Sequence, residues 1–234
     1  MFIIGNRLNT GEATKDVDFA LAMDSWEQYQ ALVDHLLQTG HFERDRHIEH
    51  RLTFRKAMKL DLLPFGGVEN PDGRLAWPPD GSIHMTTLGF REAFDHAIPV
   101  TIAPSIAIRF ASPAGLELLK LVAWNERRQE TQGKDARDLA LVLRNYLSAG
   151  NASRLYDNHV DLLDSEHFDY ELAGARILGR DLADWLDDSL RQHVEKILDR
   201  GLSKTTGFPL ARDFSLEPEK AIQLLDSFRL GLQE

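Results

Sequence analysis

The stretch Thr14-Lys15-Asp16-Val17-Asp18-Phe19-Ala20-Leu21 decides how this chain is read. Side chains alternate along an extended strand, so Val17, Phe19 and Leu21 point to one face while Asp16 and Asp18 point to the other. Two carboxylates two residues apart lie roughly 6.5 Å from each other at Cα, close enough to converge on one or two cations. A second stretch, Met58-Lys59-Leu60-Asp61-Leu62-Leu63, repeats the pattern: Met58, Leu60 and Leu62 share a face and Asp61 lies opposite. If the two strands are neighbours, Asp16, Asp18 and Asp61 surround a site with oxygen ligands only, which suits Mg²⁺ or Mn²⁺. Two such ions stabilise both the attacking and the leaving oxygen of a phosphoryl displacement. The plainer reading is an edge strand whose wet face carries acids.

Upstream, Phe2-Ile3-Ile4 is a short apolar run followed by Gly5-Asn6-Arg7-Leu8-Asn9-Thr10 and Gly11-Glu12-Ala13-Thr14. A strand, a Gly turn and a brief helix in that order aim backbone N–H groups and a polar side chain at a phosphate. Downstream, Lys120, Trp124 and Arg127 fall at i, i+4 and i+7 and line one helix face. A lysine, an aromatic plate and an arginine together hold a triphosphate and stack a base. Lys134-Asp135 opens the next helix, where an acid also suits the helix dipole without any function. Paired helices with a charge pattern and Trp124 buried between them give the same spacing, so both readings stand at this point.

The order of signals sets the architecture. Turn-forming clusters at Phe65-Gly66-Gly67, Asn70-Pro71-Asp72-Gly73 and Pro78-Pro79-Asp80-Gly81 punctuate strand-like alternation as far as Arg109. From Ser112 the signals are helical. Ser112-Pro113 is an N-cap followed by Pro at the first helical position, and predicts a helix to about Arg128. Further helices are predicted over Lys134–Leu147, Leu182–Leu198 and Pro218–Leu232 from their apolar stripes. Strands followed by helices point to an α+β protein: a small mixed sheet in residues 1–110 and a helical part in residues 111–234 packing over the site.

Several stretches together resemble the polymerase-β-type nucleotidyltransferases, in which a strand ends in Gly-Ser-Arg, continues to Gly-Glu-Ala-Thr and reaches Asp-x-Asp. The matching residues here are Gly5, Arg7, Gly11-Glu12-Ala13-Thr14, Asp16 and Asp18. Lys120-Leu121-Val122-Ala123-Trp124-Asn125-Glu126-Arg127 and Lys134-Asp135-Ala136-Arg137-Asp138-Leu139 look like the later motifs of the AbiEii/AbiGii-type toxin branch. Asp61-Leu62-Leu63-Pro64-Phe65-Gly66-Gly67 and Trp77-Pro78-Pro79 are similar to it as well. The resemblance runs from about Gly5 to Tyr146. It implies Mg²⁺ or Mn²⁺ held by Asp16, Asp18 and Asp61, and a nucleoside triphosphate contacted by Gly5, Asn6, Lys120, Arg127, Lys134 and Asp135. It also implies an RNA acceptor such as tRNA, or a protein, and an antitoxin as partner. Asn6 stands where that family carries Ser, and four residues precede Gly5. On these departures rests the alternative, a nucleotide-binding, RNA-binding or antitoxin-binding protein of the same fold with little or no catalysis. A metal-dependent nuclease on the same carboxylates is a third option.

Composition narrows the field. The 234 residues carry 27 Lys+Arg against 37 Asp+Glu, a net charge of −10, which argues against a broad nucleic-acid-binding surface. There is no cysteine, which removes disulfides, thiol nucleophiles and Cys-based metal sites. No apolar run reaches the roughly 18 residues of a membrane span, so the expectation is a soluble, cytoplasmic protein. No Gly-x-x-x-x-Gly-Lys-Ser/Thr loop and no Gly-x-Ser-x-Gly elbow occurs. His47-Ile48-Glu49-His50 lacks metalloprotease spacing. It belongs instead to a basic stretch from Glu43 to Lys59, with six Lys/Arg against three acids. Such a stretch is either a solvated hairpin surface or a track for an RNA backbone.

Overall fold

A computed structural model describes residues 16–71, 73–81, 83–164 and 168–234. They fall into two compact units, 16–91 and 92–234. Composition changes character near residue 110, whereas the contacts divide the chain after Arg91.

The first unit is built on β1 (Asp16–Met23), α1 (Trp26–Gln38), β2 (Phe42–Arg44), β3 (Arg51–Phe54) and β4 (Met58–Gly66). The sheet order is β1-β4-β3-β2, with β1 and β4 parallel and the other pairs antiparallel. The sheet is thus mixed, as the sequence order implies. Alternation gives it one apolar face: Phe19 and Leu21 of β1, Leu62 of β4, Leu52 of β3 and Phe42 of β2 pack with Tyr29 and Val33 of α1. Ser25 starts α1 by accepting from the Gln28 N–H, the usual N-cap arrangement. Gly66-Gly67 ends β4 where two backbones nearly touch. A Cβ on Gly67 would lie 2.2 Å from the Asp24 carbonyl oxygen, so only glycine lets β4 leave beside the end of β1. A small hairpin, β5 (Arg74–Ala76) and β6 (His84–Thr86), adds Leu75 and is followed by Trp77, both buried in the same core.

α2 (Phe90–Asp95) spans the division. The second unit then has a hairpin, β7 (Ile98–Ala103) and β8 (Ile106–Phe110), followed by helices. These are α3 (Pro113–Arg127), α4 (Lys134–Asn145), α5 (Ala152–Asp157), α6 (Tyr170–Ala183), α7 (Asp188–Gly201), α8 (Pro209–Asp213) and α9 (Pro218–Leu232). The Ser112 hydroxyl caps α3 by accepting from the Gly115 N–H at 3.2 Å, with Pro113 in the first turn, as the sequence predicts. The helix expected over 182–198 is two: α6 stops at Ala183 and α7 begins at Asp188. Asp187 makes the break by capping the new helix through the Leu190 N–H, and Leu186 is buried between them. α6 and α9 meet backbone to backbone, since a Cβ on Gly231 would stand 2.0 Å from the Arg176 carbonyl oxygen. Among the described residues, no helix is long and apolar enough to cross a membrane.

Candidate active site

The face of the first sheet opposite α1 carries the acids. Residues paired across strands point to the same side, so register decides which groups meet. Asp18 pairs with Asp61, Asp16 pairs with Lys59, and Arg51 pairs with Asp61 from the other flank. One row across the sheet therefore reads Asp18, Asp61, Arg51, and the next reads Asp16, Lys59, Thr53, Glu43. Neighbouring strands sit about 4.8 Å apart, which brings all three carboxylates onto one patch.

Asp18 is exposed, whereas Asp61 is 8% exposed and tightly held. Arg51 donates from Nε to Asp61 Oδ1 at 2.6 Å and from Nη2 to Oδ2 at 2.7 Å, a planar two-point grip. That hydrogen bonding is the main reason the Arg51 pKa rises; burial opposes it, and the charges of Asp61 and Asp16 add to the rise. Asp16 is thus close enough to act on the same guanidinium. His50 Nε2 stands 3.9 Å from Asp61 Oδ2, and its ring lies against Trp77 at 5.7 Å between centroids. Beneath, the Tyr29 hydroxyl donates to the Leu62 carbonyl at 3.2 Å, and burial pushes its pKa up to about 12.

The donor chemistry suits a hard divalent cation, because it is all carboxylate and is carried by adjacent strands. It is not closed around one. Among the described residues, no three His, Asp or Glu side chains are gathered closely enough to hold a metal, and Arg51 supplies the cation that Asp61 meets. Arg51 is the residue the sequence reading missed in this role. In sequence it is one cation of a basic stretch, and only the β3–β4 register reveals it as Asp61's partner.

The second unit carries a separate cluster. Asp135, in the first turn of α4, is 1% exposed. Lys120 Nζ donates to its Oδ1 at 3.2 Å, while Arg127 donates from Nε to Oδ2 and from Nη2 to Oδ1, both at 3.1 Å. Lys120 also pairs with Asp138 at 2.6 Å. Burial alone would raise the Asp135 pKa, but Lys120 and Arg127 outweigh it and the net shift is downward. Asp135 therefore organises two cations and is itself shielded from solvent. Arg127 is half exposed and spends the N–H of Nε and one of Nη2 on Asp135, which leaves three guanidinium N–H groups without a partner among the described residues. Lys134 is exposed at the start of α4. Trp124 is no stacking plate: it is 4% exposed, and its Nε1 donates to Asp213 at 2.9 Å. Gly5 and Asn6 lie outside the described residues.

A family model described as nucleotidyl transferase AbiEii toxin, type IV toxin–antitoxin system, matches residues 13–215. No curated protein and no solved structure matches the chain.

Proposed function

The chain belongs to the AbiEii nucleotidyl transferase toxin family of type IV toxin–antitoxin systems, and from that premise we propose a metal-dependent transfer of a nucleoside monophosphate from a nucleoside triphosphate to an acceptor hydroxyl. The observation that carries this reading is the register of β1 on β4, which sets Asp18 beside Asp61 with Asp16 on the same face. Asp16, Asp18 and Asp61 are the residues to hold Mg²⁺ or Mn²⁺, which when bound supplies charge neutralisation at the phosphates. Asp61 accepts the proton of the acceptor hydroxyl once Arg51 releases one of its oxygens. The acceptor oxygen then bonds to the α-phosphorus, the bond to the β-phosphate oxygen breaks, and pyrophosphate departs. To Lys120, Arg127 and Lys134 the reading assigns neutralisation of triphosphate and pyrophosphate charge. The acceptor is an RNA such as tRNA, and an antitoxin is the cellular partner.

The test is incorporation of each α-labelled nucleoside triphosphate into a total tRNA pool with Mg²⁺, comparing wild type with Asp16→Asn/Asp18→Asn. Loss of metal carboxylates removes several kcal/mol of transition-state stabilisation, so the label is expected to fall at least about a thousandfold. Activity in the double variant at a tenth of wild type or more would sink the assignment. A second reading, a binder with little catalysis, draws on the grip of Arg51 on Asp61 and on Asn6. Under it, Asn6→Ser leaves turnover at background; in an enzyme the same change raises it.

A further inference from the structure

The basic stretch forms a built surface. Between Glu43 and Lys59 there are six Lys/Arg against three acids, whereas the remainder of the chain has 21 against 34. On this acidic protein it is an island of opposite sign. The residues line a pocket of about 350 Å³ formed by Glu43, Arg44, Asp45, Arg46, His47, Thr53 and Lys56. Its two acids are already engaged. Asp45 accepts from the backbone N–H groups of His47 and Ile48, folding the turn after β2, and Glu43 pairs with Lys56 at 3.9 Å. That pair is weak, since the two side chains are 82% and 64% exposed, and Arg44 meets Asp34 in a similarly open pair at 3.4 Å. Both cations are readily exchanged to another anion.

A second observation is independent of charge. The β3–β4 turn, closed by the Ala57 N–H donating to the Phe54 carbonyl at 3.0 Å, places Arg55 and Lys56 consecutively at φ 47° and 58°. Turns of this kind favour Asn and Gly at both positions. Here strained positions present two cations instead, with the Arg55 guanidinium 5.0 Å over the Phe54 ring. The pocket also adjoins the carboxylate face, because Thr53 and Glu43 finish the row that starts at Asp16 and Lys59. Three strand spacings separate the ends of that row, about 14 Å.

We infer that this pocket is a separate grip on the acceptor, holding its sugar–phosphate backbone at a distance from the reacting end. The inference rests on the transfer reading for what the acceptor is used for, and on the pocket alone for binding. At about 3.4 Å per stacked nucleotide, the pocket grips the strand roughly four nucleotides from the reacting end. Arg46 and Lys56 take phosphate oxygens, and Thr53 offers a hydroxyl donor.

The experiment measures binding of a fluorescein-labelled single-stranded RNA of about 12 nucleotides to the full chain, without nucleoside triphosphate or Mg²⁺, across a salt series. Arg46→Gln/Lys56→Asn removes two exposed cations, with Asn chosen because it tolerates positive φ. Affinity is expected to fall about tenfold, and the salt slope to shrink by about 1.4, since each single-strand phosphate contact contributes about 0.7. Arg46→Lys/Lys56→Arg keeps both charges and is expected to bind as wild type. An unchanged slope in the neutralised variant overturns the proposal. So does full competition by a nucleoside triphosphate, which would assign the pocket to the nucleotide, or equal competition by a poly-glutamate peptide. Because no transfer is involved, failure here leaves the transfer assay readable, and the reverse holds too.

Discussion

Removing Asp135 tests whether the second cluster is held together by one buried carboxylate. Asp135→Ala deletes the acceptor of three hydrogen bonds, from Lys120 and twice from Arg127, at a site 1% exposed. Breaking a buried ion pair from one side costs about 3–5 kcal/mol, because the partner charge is left without compensation. Two features lower that figure here. Lys120 keeps Asp138 at 2.6 Å, and Arg127 is half exposed and rehydrates. The expected loss is about 2–3 kcal/mol, or a melting temperature lower by roughly 4–12 °C for a chain of this length. The pH dependence follows from the direction of the shift. The folded-state pKa of Asp135 lies below its ordinary value of 3.8, so its contribution is present above that value and is lost as pH falls through the folded pKa. Urea denaturation followed by circular dichroism is therefore expected to show a constant gap between wild type and variant from neutral pH down to about 4, narrowing below. A gap under about 1 kcal/mol at neutral pH, or one that narrows well above pH 4, refutes this account of the cluster.

Two further outcomes are expected. Arg51→Gln strips Asp61 of its two-point grip and leaves a nearly buried carboxylate in need of a cation. The variant should melt lower without Mg²⁺, recover part of the loss when Mg²⁺ is added, and bind Mg²⁺ more tightly by calorimetry than wild type; no gain from Mg²⁺ would show that Arg51 does not stand in for a metal. Glu117 is 1% exposed, its Oε2 has no hydrogen-bond partner among the described residues, and burial holds its carboxyl well above the usual range. The unfolded chain loses that proton near 4.5 while the folded chain keeps it, so wild-type stability falls by up to about 1.4 kcal/mol per pH unit above that value. Glu117→Gln is expected to remove this slope just above the unfolded-chain value, and parallel pH profiles for the two proteins would count against it.

What was legible in the sequence was whatever a single strand or helix settles by itself. Period-two alternation placed Asp16, Asp18 and Asp61 opposite the apolar faces, and those apolar faces then had to share α1, which brought the strands into one sheet. Ser112-Pro113 fixed the start of α3 because a cap is a local contact. Register is not local. Arg51 meets Asp61 because the β3–β4 turn closes on Arg55 and Lys56 rather than on Asn-Gly, and nothing in the composition of that turn announces its length. Apolar periodicity runs on through 182–198, yet capping by Asp187 outcompetes a continuous helix there. Trp124 shows the remaining limit. Its slot on α3 fits either an exposed plate or a buried ring, and what decides is an acceptor 89 residues away, Asp213, which also takes the Arg128 guanidinium. A buried indole N–H must find a partner, so once α8 supplies that carboxylate the ring turns inward, and what stays open to a ligand is the half-exposed Arg127 of α3 and the exposed Lys134 of α4.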